Sequence, residues 1–318
     1  MGRLWRKPQF IEFLCLWIIY VCGLFMMLLQ PVLLTAEASQ PLSLIQAIVI
    51  GIVQGLTEFL PISSTAHVKI VPVVLGWGDP GVTFTAIVQL GSIVAIVGYF
   101  WSDIRQLLVG VKQAITQSNW QAPDFRVAIG ILIGTIPIVV LGLLVKFGLR
   151  ESYETFARSS LVIAITSIGL AIFLAMAEVI GTRKRGYSEV SQRDGVGMGM
   201  AQALALIPGV SRSGSTMTAG LFMGLNRATA ARFSLLMGIP AILISGLAEI
   251  NELFEPQGSV GAVAAIAAVI ASAISSYVAI YWLIRFLKDH TTWIFVFYRI
   301  GFGLAILWGI LSGRLSNI

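Results

Sequence analysis

Six stretches of this chain are long, apolar and nearly free of charge, which restricts it to folds that can satisfy their own backbone inside a lipid bilayer. They are Val82–Trp101, Val127–Val145, Ser159–Ala177, Phe233–Ala248, Pro256–Ile284 and Thr291–Gly313. The first five carry no charged residue, and the last carries only Arg299. Lipid offers no hydrogen bonds, so spanning segments of this kind are helices. Phe233–Ala248 is short for a span, and its helix is expected to reach back past Arg232, whose long side chain can snorkel. Only 11% of the 318 residues are charged, less than half the ~25% of a soluble domain. The net charge of +6 is modest, and the basic residues sit between the apolar runs. They set topology and can touch anionic lipid; nucleic-acid binding is excluded.

A further apolar run, Phe13–Ala36, follows Arg3, Arg6 and Lys7. Ala36-Glu37-Ala38 has the form of a signal-peptidase site. The run is nevertheless long enough to span, and a retained N-terminal helix is the favoured reading. It contains both cysteines, Cys15 and Cys22, seven residues apart on one helix. The ~10 Å rise between them rules out a disulfide. With two histidines in the chain and no zinc spacing, any metal would be a hard, oxygen-bound ion.

Orientation follows from charge. The links 102–126 and 181–194, and the one holding Arg285 and Lys288, are basic and belong inside. The links 150–158 and 251–255 are more acidic and fall outside. The parity closes only if stretches 42–78 and 195–226 enter the membrane and return on the same side. Both are apolar but broken, the first by Pro61 before Ser63-Ser64-Thr65, the second by Pro208-Gly209 before Ser211-Arg212-Ser213. Each reads as a re-entrant helical hairpin. Gly51, Gln54, Leu56 and Ser63 match Gly199, Gln202, Leu204 and Ser211 at a constant offset of 148. Two repeats of opposite orientation, about 42–180 and 194–313, would bring their breaks face to face at the midplane. The expectation is an all-α integral membrane protein with an inverted-topology repeat, two re-entrant hairpins and six core transmembrane helices. Residues 1–40 form an N-terminal extension with its extra helix, and 41–318 form a single domain.

The chemistry concentrates in the hairpins. Residues 42–78 contain Glu58, His67 and Lys69 as ionisable groups, and 195–226 contain Arg212. A charge at membrane depth costs roughly 2.5–3.5 kcal/mol or more unless paired, so each needs a reason. Gln54 and Glu58 share a helix face just before the Pro61 break. The bland reading is an ion pair of Glu58 with Lys69 or Arg212, but Ser63, Ser64, Thr65 and His67 crowd the same break. A carboxylate there can hold a hard cation or orient a water. Around Arg212, the Gly residues allow close approach to a ligand, the helix start offers free N–H groups, and the guanidinium is a fork for phosphate. Ser211, Ser213 and Thr216 add hydroxyls, while Ser215 reads as bonded to its own helix. If the tips meet, these parts meet the needs of phosphoryl transfer. His67 could attack phosphorus, or deprotonate Ser64 or a water. Lys69 and Arg299 could each snorkel or support structure, and His290 reads as a solvated loop residue.

The motif Gln54-Gly55-Leu56-Thr57-Glu58, continuing as Phe59-Leu60-Pro61-Ile62-Ser63-Ser64-Thr65-Ala66-His67, resembles that of the undecaprenyl-diphosphate phosphatase family, also known for bacitracin resistance. So does Pro208-Gly209-Val210-Ser211-Arg212-Ser213-Gly214-Ser215-Thr216. The resemblance runs from about residue 42 to the C-terminus. It implies a helical inverted repeat in the bacterial cytoplasmic membrane, a site opening to the outer face, and hydrolysis of undecaprenyl diphosphate supported by a divalent cation, Mg2+ or Ca2+. By the same resemblance Glu58 serves metal or catalysis with Gln54 beside it, and His67 and Ser64 are the nucleophile and base. Arg212 holds the diphosphate with Ser63, Thr65, Ser211, Ser213 and Thr216. Gln54 stands where many members have Glu, which would weaken metal binding, and the first 40 residues have no counterpart in shorter members. A homodimer is left open. The competing classes are a lipid transporter, which needs no nucleophile, and an acid-phosphatase-type enzyme, which needs a second catalytic histidine.

Overall fold

The computed structural model describes residues 42–148, 158–248 and 261–317, and every regular element among them is helical. The expected N-terminal helix and both cysteines lie outside the described residues. In chain order the helices are α1 (Leu44–Glu58), α2 (Ser64–Val74), α3 (Gly81–Tyr99), α4 (Trp101–Thr116), α5 (Pro123–Gly148) and α6 (Ser160–Ile180). They continue as α7 (Gln192–Ala203), α8 (Arg212–Phe222), α9 (Arg227–Ala248), α10 (Ala262–Asp289) and α11 (Trp293–Leu311). Five of them, α5, α6, α9, α10 and α11, are long and apolar enough to cross a membrane. A sixth span is available if α3 and α4, bent by 65° at Phe100, count as one. Leu132, Phe147, Ile165 and Phe173 stand exposed on α5 and α6, as expected of surfaces whose solvent is lipid. The short span does extend past Arg232, as α9. The Arg232 guanidinium pairs with Asp103 on α4 and lies over the Tyr187 ring.

Helix α4 falls mostly in the basic link 102–126. Leu107 and Ala114, seven residues apart, are its buried positions, so it is amphipathic and lays one stripe on the core.

The two broken stretches set the site. Helix α1 starts at a capping box between Ser43 and Gln46 and ends at Glu58, because Pro61 cannot continue it. Helix α2 restarts after Ser63, whose φ is +74°. Helix α7 starts at a Ser191–Asp194 capping box and passes through a 3-10 turn, Leu204–Leu206. Helix α8 then restarts after Ser211, whose φ is +68°. Each first helix packs through glycine on a later or earlier long helix. A Cβ on Gly51 of α1 would lie 2.3 Å from the Ala268 carbonyl oxygen of α10, and one on Gly199 of α7 would lie 2.3 Å from Gly134 Cα of α5. Backbone contact this close is how small residues join helices in lipid.

Away from the breaks, Glu178 in the last turn of α6 pairs with Arg227 at the start of α9 and accepts from Thr292 Oγ1 (2.7 Å), the residue preceding α11. Three helix ends are tied by one buried carboxylate.

Candidate active site

Glu58 and Arg212, 154 positions apart in the chain, meet at a salt bridge of 2.6 Å. Glu58 is brought there by the end of α1 and Arg212 by the first residue of α8, so the pair sits where both helices break. The carboxylate is saturated. Its Oε1 accepts from Arg212 and from Gln89 Nε2 on α3 (3.3 Å). Its Oε2 accepts from Gln54 Nε2 (2.8 Å) and Ser64 Oγ (2.5 Å). The bland reading of an ion pair is therefore realised, but inside a network that also grips a serine hydroxyl.

This cluster lines a cavity of about 400 Å³ whose polar end carries Glu58, Ser63, Ser64, Thr65, Ser211 and Arg212. Apolar stretches of its wall include Ile138, Val139 and Leu143 on α5 and Ile244 on α9, and Lys69, Asp79, Lys146 and Arg158 line it as well. A polar end with apolar stretches of wall suits an anionic headgroup on a hydrocarbon chain.

The sequence-derived set divides in three. Glu58, Arg212, Ser63, Ser64, Thr65 and Ser211 face the cavity, and Gln54 lies just behind Glu58. Ser213 and Thr216 do not line it. Ser213 Oγ donates to the Leu60 carbonyl across the gap (3.0 Å), tying one break to the other. Thr216 is fully buried, and its hydroxyl bonds the Arg212 carbonyl one turn earlier (2.7 Å) and Ser234 Oγ. Ser215 bonds its own helix, as expected. His67 also stands behind the cavity wall. Its Nδ1 meets the Ser63 carbonyl (2.7 Å), its Nε2 meets Tyr298 Oη (2.7 Å), and its ring stacks on Phe302 at 4.2 Å. Both ring nitrogens are thus engaged, Nδ1 holding the strained Ser63 and Nε2 tied to Tyr298. His290 is half-buried and stacks on Phe286 at 4.5 Å, so it is a packed helix cap and not a solvated residue.

Arg299 has a larger part than its sequence context indicated. It is fully buried, and among the described residues no carboxylate pairs with it. Its guanidinium donates instead to four backbone carbonyls: Gly209 (2.7 Å), Ser167 (3.1 Å), Pro61 (3.2 Å) and Thr166 (3.5 Å). Pro61 and Gly209 are the two breaks themselves. Gly209, at φ +90°, could not be another residue, since a Cβ would lie 2.1 Å from Thr166 Oγ1.

Among the described residues no three His, Cys, Asp or Glu side chains are placed to hold a metal by themselves. Gln54 Oε1 is nonetheless buried and without a hydrogen-bond partner beside Glu58. One carboxylate and one amide oxygen fit a hard cation that brings phosphate oxygens with it, the usual manner of Mg2+.

Fold and site together define a polytopic helical membrane protein with an arginine and a carboxylate paired at a cavity where two broken helices meet. The model of the bacitracin resistance protein BacA family matches residues 47–305, and the chain belongs to that family. It is 53% identical over 280 residues to an undecaprenyl-diphosphatase of Trichodesmium erythraeum, covering 88% of this chain and 90% of the relative. It is also 53% identical over 288 residues to one from Synechococcus elongatus, covering 90% and 100%. A Synechocystis undecaprenyl-diphosphatase is 54% identical over 267 residues, covering 84% and 82%.

Proposed function

We propose that this protein hydrolyses undecaprenyl diphosphate to undecaprenyl phosphate and inorganic phosphate, recycling the lipid carrier of cell-wall synthesis and conferring bacitracin resistance. Family membership supports the reaction. The observation that carries the site is Ser64 Oγ at 2.5 Å from a Glu58 carboxylate that also holds Arg212, all at the polar end of one cavity.

The terminal phosphoryl group takes the place of Glu58 on the Arg212 fork, where two parallel N–H donors match its oxygens. N–H groups at the start of α8 and the hydroxyls of Ser63, Thr65 and Ser211 complete the cradle. With Arg212 drawn to the phosphoryl group, Glu58 keeps its hydrogen bond from Ser64 and accepts that proton at Oε2. Ser64 Oγ attacks phosphorus, a Ser–O–P bond forms, and the bridging P–O bond breaks with undecaprenyl phosphate as leaving group. Water, deprotonated by a Glu58 that has passed its first proton to solvent, then attacks phosphorus. The Ser–O–P bond breaks, the serine regains a proton, and inorganic phosphate leaves. His67 and Tyr298 hold the Ser63 backbone, which presents Ser64. A divalent cation, Mg2+ or Ca2+, held by Glu58 and Gln54 Oε1 would neutralise phosphate charge as it develops.

Three features favour an inverted repeat with two re-entrant hairpins. Ser63 and Ser211 both have positive φ at an offset of 148, both precede a helix, and each hairpin packs through glycine on a long helix of the other repeat. The charge pattern of the links supports a cavity that opens to the outer face of the cytoplasmic membrane. Purified protein in detergent, where transport has no meaning, tests the reading. Phosphate release from undecaprenyl diphosphate is expected, with loss on adding chelator and in Arg212→Ala. No release under any metal condition would refute it.

A further inference from the structure

We propose that Gln89 on α3 is a positioning residue for the reaction: it takes over Glu58 Oε1 when the phosphoryl group draws Arg212 away, and so keeps Oε2 aimed at Ser64. The proposal rests on the active site described above and deepens it. Each oxygen of the Glu58 carboxylate has two donors. Gln54 Nε2 (2.8 Å) and Ser64 Oγ (2.5 Å) reach Oε2, while Arg212 (2.6 Å) and Gln89 Nε2 (3.3 Å) reach Oε1. Proton transfer needs Oε2 to stay on Ser64, yet phosphate binding takes Arg212 from Oε1. Gln89 is then the donor left on that oxygen among the described residues. Its 3.3 Å is long, as expected of an amide sharing an acceptor with a guanidinium. A neutral donor also holds the oxygen without drawing the headgroup away from Arg212.

Both residues are set against one helix. Ser272 of α10 is fully buried, and α1 and α3 both close on it. A Cβ on Gly55 of α1 would lie 2.4 Å from the Ser272 carbonyl oxygen, and one on Gly91 of α3 would lie 2.9 Å from Ser272 Cβ. Ser92 Oγ meets Ser272 Oγ (3.2 Å) and Ser276 Oγ (2.9 Å). Glu58 stands three residues after Gly55, and Gln89 three before Ser92, so each lies about one helical turn, ~5 Å, from the shared contact. Packing this close leaves the two helices little freedom to slide. Gln89 therefore meets Glu58 within a framework to which Arg212, carried by α8, does not belong. Arg212 can turn to the substrate without moving Gln89.

The test is a double-mutant cycle on phosphate release from undecaprenyl diphosphate by the purified protein. Gln89→Met keeps the length of the side chain and removes the donor. Its kcat is expected to fall at least about tenfold, the loss of one hydrogen bond to a charged group, with KM within about threefold and the melting temperature close to that of the parent. Gln89→Asn keeps the amide but falls one carbon short, and should show the same loss. In a Glu58→Ala background, read with radiolabelled substrate over long incubation, Gln89→Met should cost less than about twofold, because the group it positions is gone. A kcat within about threefold of the parent in both single variants overturns the proposal. So does an undiminished loss in the Glu58→Ala background, or a raised KM at constant kcat, either of which would make Gln89 a direct substrate contact. Full turnover by Glu58→Ala alone sinks the active-site reading instead, so the two failures are separable.

Discussion

Replacing Arg299 by methionine isolates what holds the two breaks together. The substitution keeps an unbranched apolar stem of similar reach and removes all five guanidinium donors. The Ser167 and Thr166 carbonyls lie inside α6 and keep their helical partners. Pro61 and Gly209 lie in the breaks, outside any helix, and lose the donor that satisfies them. A buried carbonyl left unpaired costs about 1–3 kcal/mol, so two cost about 2–6 kcal/mol. Release of a guanidinium buried without a counter-ion offsets part of this. The global loss should therefore be small, while the local effect falls on the junction of Pro61 and Gly209. Ser64 lies three residues beyond one break, and Arg212 lies three beyond the other. Misplacing catalytic groups by about 1 Å costs about 100-fold. Arg299→Met is expected to purify as a folded protein in detergent, with a melting temperature lowered by several degrees and kcat reduced about 100-fold. Phosphate release measured across substrate concentration separates kcat from KM, and a thermal melt of the same sample reports folding. A variant with kcat within about twofold of the parent would show that the breaks hold their geometry without the arginine.

Further outcomes follow from the same geometry. Glu58→Gln and Arg212→Ala should each lower turnover by about 10³-fold or more in phosphate-release assays while the protein remains folded. Ser64→Ala should behave likewise, whereas Ser215→Ala, which removes only a bond within α8, should stay within a few-fold of parent. The Asp194 carboxyl, in the first turn of α7 and outside the long apolar helices, responds to acid. Burial pushes it up, but the Arg185 guanidinium and the Ser191 donors outweigh this and hold it below the usual range. A depressed folded value means stability complete above the unfolded value near pH ~4 and lost as pH falls through the folded one. Melts taken at descending pH should thus steepen in the parent and flatten in Asp194→Asn.

Much of the architecture was legible because charge is rare in this chain. Glu58 and Arg212 stood out against apolar surroundings, and the two broken stretches that carry them were expected to bring their breaks face to face. Other features left no such mark. Arg299 was visible, but its partners are backbone carbonyls, which have no sequence signature. Thr216 could have been placed correctly: it follows Arg212 by four residues in a helix, the spacing at which a threonine hydroxyl bonds back. His67 looked like a reactive group because its neighbours are hydroxyls. Its real partners, Tyr298 and Phe302, come from the far end of the chain. Helix α4 was hidden by its charges, since Asp103, Arg105 and Lys112 lie on an exposed or partly exposed face and only Leu107 and Ala114 report the buried stripe.

Ser63 shows why the site is built from strained residues. Its φ of +74° and ψ of 98° lie outside the regions favoured by residues with a Cβ, and its side chain makes no capping bond to α2. Strain of this kind costs about 1–3 kcal/mol. Glycine adopts positive φ freely but loses about 0.5–1 kcal/mol more chain entropy on folding. Ser63→Gly should therefore leave stability unchanged or raise it by up to about 2 kcal/mol. The hydroxyl it removes faces the cavity, so KM for undecaprenyl diphosphate should rise several-fold while the melting temperature holds or increases. Ser211 is different, because its hydroxyl accepts from the Gly214 amide (3.1 Å) and caps α8. Glycine there gives up that cap as it relieves strain, and its melting temperature should gain less than that of Ser63→Gly. A less stable but fully active Ser63→Gly would mean that the strain is absent and the hydroxyl idle.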